Sequence, residues 1–182
     1  MKVVDYNISN CGNPETFYIG DVYDVLASVV GLKSEILANA VSGNLDTCLK
    51  LGTANDSNIS GIRVCENGIV LTIQNTIPSD ANRYDDFSSA KLYLFDNGEI
   101  HYILSVVDRK YGEKIKVDEQ AISGLDLNLG KEINLKGKDS LVGRLFSSGN
   151  KAENAKIVSA KIESLLNSVD NALLEKQSDR GR

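Results

Sequence analysis

Apolar and polar positions alternate along two stretches of the chain, and each stretch folds back at an Asn-Gly pair. In GIRVCENGIVLTIQNT (61–76), Ile62 and Val64 flank Arg63 before Asn67-Gly68, and Leu71 and Ile73 alternate with Thr72 and Gln74 after it. Asn-Gly suits a type I′ hairpin turn because both central residues need positive φ. Pairing about that turn sets Cys65 opposite Val70, Val64 opposite Leu71 and Ile62 opposite Ile73. The Ile62/Val64/Leu71/Ile73 face is then core, and the face with Arg63, Thr72 and Gln74 is wetter. In KLYLFDNGEIHYILSVV (91–107), Asn97-Gly98 closes a second hairpin by the same logic. Leu94 then faces His101, Leu92 faces Ile103 and Ala90 faces Ser105. On the other side Phe95 faces Ile100 and Tyr93 faces Tyr102. Both faces are largely apolar, which marks a central strand pair or one with a second layer, partner or ligand on its far face.

Elsewhere the period is helical. Val22, Val25, Leu26, Val29 and Val30 recur at spacings of 3 and 4. Gly31 interrupts them, Ile36, Leu37, Ala40 and Val41 resume, and Gly43 is a left-handed stop. This predicts one kinked helix or two short helices within 18–44. The clearest helix is 152–177, where Ala155, Val158, Ile162, Leu165, Val169 and Ala172 form a stripe widened by Leu166, Leu173 and Leu174. A first strand is expected at 2–8 and a polar connection at 77–90. Residues 112–150 read as irregular short strands, one at a sheet edge.

The order is strand, helix, several antiparallel strands, long helix. It predicts an α+β fold: an antiparallel sheet of hairpins, an N-terminal helix or kinked helix pair, and a C-terminal helix packed on the sheet. A helix-grip arrangement, with the last helix across a concave sheet, satisfies this order. The expected organisation is one domain over 1–177 and a disordered tail over 178–182.

Composition narrows the function classes. At 182 residues the chain buries enough surface to fold without disulfide or metal. A formal net charge of -5 argues against nonspecific nucleic-acid binding, which needs a cationic surface; it suits a basic protein partner, but keeping a small protein soluble is the plainer reading of it. Three cysteines (Cys11, Cys48 and Cys65) without a paired spacing fit a reducing compartment and not a zinc site. No secretory signal and no run of about 20 apolar residues is visible. The expected location is the cytoplasm, or a host cytoplasm for a viral or phage product.

Candidate chemistry is sparse. His101 is the single histidine. Catalysis would require a nucleophile or orienting carboxylate beside it, and Cys65 or Cys48 would have to approach across the sheet. Asp80, Asp85 and Asp86 cluster in one loop, but the calcium-loop pattern fails at Tyr84, so solvated charge is the plainer reading. The segment 135–144 lacks the first glycine of a phosphate loop, because position 132 is Glu. No catalytic residue, metal or cofactor is assigned.

The expected function is non-catalytic binding of another macromolecule, most simply a protein, in the manner of an inhibitor, immunity-type protein, chaperone or phage accessory factor. Tyr93, Phe95, His101, Tyr102 and Ile103 are the candidate binding residues. The alternatives are a small-molecule-binding helix-grip domain and an enzyme using Cys/His or the loop carboxylates. The C-terminal stripe fits packing on the chain's own sheet, with homodimerisation as its other use.

Overall fold

A computed structural model describes residues 3–8, 22–43, 49–51, 57–75, 87–107, 127–133 and 141–180. Cys11, Cys48, the aspartate loop and residues 112–126 lie outside the described residues. The elements follow the order β1 (Val3–Ile8), α1 (Val22–Gly31), α2 (Lys33–Val41), β2 (Leu49–Lys50), β3 (Ser57–Cys65), β4 (Gly68–Asn75), β5 (Phe87–Phe95), β6 (Ile100–Val107) and α3 (Leu141–Arg180). The fold is α+β.

The sheet has six strands in the order β1-β6-β5-β4-β3-β2. It is mixed, which corrects the antiparallel expectation: β1 pairs with β6 in parallel, from Val3 opposite Ile100 to Ile8 opposite Ser105. The cause is the α1–α2 connection. It carries the chain from one sheet edge to the other, and the five-strand meander then returns β6 to the side of β1.

The helical period reads directly into packing. Val22, Val25, Leu26 and Val29 of α1 are buried, as are Ile36 and Ala40 of α2. The two helices meet at Leu32, whose N–H still donates to the Ser28 and Val29 carbonyls. Gly43 ends the pair with φ +79°, a left-handed conformation that glycine adopts without steric cost. On α3, Val158, Ile162, Leu165, Leu166, Val169 and Ala172 are buried against the sheet and the other helices. Val41 and Leu174 depart from the expected stripes and are 65% and 56% exposed. The helix is also longer than its stripe, beginning at Leu141 rather than near 152.

Both hairpins form, but in other registers. In the first, Glu66 and Asn67 make the turn, Cys65 lies opposite Gly68, and Val64 lies opposite Ile69. The expected pairs were shifted by two residues, which preserves the side-chain alternation. Ile62, Val64, Leu71 and Ile73 are therefore core as expected. A bulge between Ile59 and Gly61 returns Ile59 to the same face. Gly68 is a strand residue without positive φ, and its lack of a side chain serves close packing instead. A Cβ there would strike the Leu94 carbonyl oxygen and come within 2.8 Å of Leu129 Cδ2.

The second hairpin slips by one residue. Its loop has three residues, Asp96-Asn97-Gly98. Gly98 N–H donates to the Phe95 carbonyl at 3.0 Å, Phe95 N–H donates to the Glu99 carbonyl at 2.9 Å, and Gly98 has φ +91°. This is the type I turn with a left-handed glycine that three-residue hairpins favour. Because strand side chains alternate, a slip of one exchanges every cross-strand neighbour for one on the other face. Leu92 lies opposite Tyr102, Leu94 opposite Ile100, and Tyr93 opposite His101.

Candidate functional site

The slip sorts the candidate residues onto two sides of the sheet. Tyr102 is 1% exposed and belongs to the helix-facing core with Leu92, Leu94 and Ile100. It is thereby separated from the other four. Tyr93, Phe95, His101 and Ile103 share the outer face, away from the helices. There Tyr93 and Ile103 are buried in a second cluster with Cys65, Val70 and Leu129, and Phe95 is partly buried against it. Successive strand pairings form one row across the face: Val4, His101, Tyr93, Val70 and Arg63. The row grades from half-buried Val4 through buried His101, Tyr93 and Val70 to exposed Arg63.

His101 is 8% exposed. Its Nε2 lies 3.2 Å from Glu99 Oε2, and Phe95 meets its ring edge-on with centroids 5.1 Å apart. The expected neighbours Leu92 and Leu94 are on the other side of the sheet. The sheet order also decides the thiol question. Cys65 on β3 and His101 on β6 are three strand spacings apart, about 14 Å at the usual interval, beyond hydrogen-bond reach. His101 and Cys65 therefore do not form a nucleophile–base pair. Among the described residues, no group of three or more His, Cys, Asp or Glu side chains converges to hold a metal ion.

Tyr93 has the one resolved electrostatic perturbation among the described groups. Burial raises its phenol above the ordinary tyrosine value, and the positive charge of Arg63 opposes the rise. A raised phenol favours the neutral form in the folded state. Its stabilising effect is fully present below about pH 10, the unfolded value, and is lost as pH rises through the folded value. Tyr93→Phe should therefore flatten the alkaline fall in melting temperature. In difference titrations of tyrosinate absorbance, Arg63→Ala should move the Tyr93 step to still higher pH. An unchanged alkaline limb in Tyr93→Phe would remove this assignment.

Two groups that sequence patterning missed hold the hairpin end of the site. Residues 127–133 hook over the first turn. Asn67 N–H donates to the Leu129 carbonyl, Glu66 N–H to the Lys131 carbonyl, and Ile133 N–H to the Val64 carbonyl. Leu129 packs on the outer face and Ile133 against the helix-side core, so the segment engages both layers. Gly130, at φ +80°, makes this passage, since a Cβ would lie 2.7 Å from Glu66 Oε2. Lys161 of α3 is the second group. Its Nζ donates to the Glu66 carbonyl and to Asp96 Oδ2, while Asp96 N–H donates to the Asn67 carbonyl. One lysine thus ties the long helix to both hairpin tips. The short apolar run around Leu127 and Leu129 was a legible signal for the hook. Nothing in the spacing signalled Lys161.

Comparison of the chain with protein-family models, with curated proteins and with solved structures finds no match. No helix among the described residues is long and apolar enough to cross a membrane.

Proposed function

We propose that this chain is a non-catalytic interaction protein that binds a protein partner through the outer face of its sheet. The observation that carries this reading is the gathering of Tyr93, Phe95, His101 and Ile103 on the face the helices leave, with exposed Arg63 and Lys91 alongside. Aromatic and apolar groups bordered by cations are the usual anatomy of a recognition patch. Phe95 and Arg63, half-buried and exposed, are its contact residues.

Packing favours this over the small-molecule reading. A helix-grip ligand would lie between sheet and helices. There Leu71, Ile73, Leu92, Val158, Ile162 and Val169 are all 0% exposed, leaving no water-sized space beside them. The separation of Cys65 from His101 weakens the enzyme reading in the same way.

The test is a pull-down from the native host with mass spectrometry of both proteins and small molecules. The tagged wild-type chain should capture a discrete protein. Phe95→Ala and Arg63→Ala should each reduce capture at least tenfold while retaining a cooperative melting transition. Undiminished capture by both variants would overturn the outer-face reading, and a small molecule recovered in stoichiometric amount would replace it with the ligand-binding one.

A further inference from the structure

The two margins of the sheet are finished differently. The outer edge of β3 is occupied at both ends. At one end β2 pairs Leu49 with Ile59 and Lys50 with Asn58; at the other, Glu132 bridges to Cys65 and Ile133 N–H bonds the Val64 carbonyl. The opposite margin is β1, six residues long and in unbroken register with β6. No described strand lies beyond it. Its sequence, VVDYNI, has no proline and a single charge, Asp5. Edge strands left exposed are normally shortened, bulged, covered or given proline or charged side chains, lysine above all, because their backbone groups template another strand. Covering segments of this kind are present at β3; among the described residues β1 has no cover, bulge or proline, and Asp5 is its one charged residue.

We infer that β1 is a strand-accepting edge, taking an extended cationic segment of a partner protein by strand addition. The inference rests on the protein-binding reading above and specifies how the partner is held. In a strand, alternate residues direct both N–H and C=O to the same side, so three of the six residues of β1 present their backbone groups outward. An added strand supplies main-chain hydrogen bonds, and its alternate side chains supply selectivity. Continuity with the outer face sets where those side chains fall. Val4 stands beside His101 in the row that runs to Arg63, so every second side chain of an added strand would extend that row. Charge selects the occupant. The chain carries a net charge of -5 and β1 itself carries Asp5. A basic segment is drawn to this margin, and a second copy of the same acidic chain is repelled.

The test uses the full chain and two end-capped heptapeptides, one alternating lysine with valine and one alternating glutamate with valine. Amide hydrogen exchange is followed residue by residue across β1. The lysine peptide should slow exchange of alternate β1 amides at least tenfold in a saturable way, with the glutamate peptide at least tenfold weaker. Three outcomes overturn the assignment. In one, the outward amides are already as protected in the chain alone as those bonded to β6. In another, protection arises from raising the chain's own concentration without peptide, which marks a second copy as occupant. In the third, the two peptides protect equally. The two readings fail separately. A captured partner whose complex leaves β1 amides unprotected removes the edge and keeps the binding function. Peptide protection without any captured partner does the reverse.

Discussion

Gly68→Val is expected to abolish the cooperative melting transition. The position opens β4, opposite Phe95, where a Cβ would meet the backbone carbonyl oxygen of Leu94. Main chain paired on both sides, with Cys65 on one and Phe95 on the other, cannot move aside as a flexible side chain would. Overpacking in cores costs about 1–3 kcal/mol even where neighbours yield, and Leu129 at 2.8 Å from the same point is a second obstruction. Gly98→Val is the contrast. Open space surrounds that position, but φ is +91°. Its cost is conformational, about 1–3 kcal/mol, which lowers the melting temperature by roughly 2–12 °C in a domain of this size. Thermal melts by circular dichroism separate the two. Equal, small shifts in both variants would show that Gly68 is not enclosed as described.

These glycines also mark the limit of what the chain discloses before its structure is known. Both Asn-Gly pairs announce a reversal, and each hairpin forms. Loop length is the part the dipeptide leaves open. One turn closes a residue early, at Glu66-Asn67, because Gly68 is required where strands β4 and β5 approach the hook. The other takes a third residue. The two-residue error was harmless to the face assignment because alternation has period two. The one-residue error exchanged the β6 residues against β5: it brought His101 and Ile103 to the face of Tyr93 and Phe95, and sent Tyr102 to the core face of Leu92 and Leu94. The candidate site was thus legible as a set of residues and illegible as a surface. Parallel pairing of β1 was hidden for a different reason: it joins strands distant in sequence, and no local pattern records it. The helical stripes were read most faithfully, since each depends on neighbours one turn away.

Ile162→Asp and Leu165→Asp should each unfold most of the protein. Ile162 is 0% exposed and Leu165 is 3% exposed, both within the main core. Removing either forfeits about 1.5–3 kcal/mol of apolar burial. The new carboxylate adds a desolvation cost of several kcal/mol, with an apolar environment in place of a partner. Together these approach the roughly 5–15 kcal/mol by which domains are ordinarily stable. Leu174→Asp is the internal control: that side chain is 56% exposed and its loss should leave the melt within a few degrees of wild type. Circular dichroism and light scattering decide the matter. A soluble Ile162→Asp variant with a sharp transition would mean that α3 docks on another molecule rather than on its own sheet.

The pairing of β1 with β6 also imposes an order in time. During synthesis β1 leaves the ribosome first among the described strands, and β6, its one neighbour among them, leaves last. At about 5–20 residues per second, the interval is on the order of 5–20 s. Throughout it, the strand VVDYNI lacks its β6 partner, while β3, β4 and β5 pair with strands adjacent in sequence as these appear. The nascent chain therefore carries an adhesive strand for seconds before the fold can claim it.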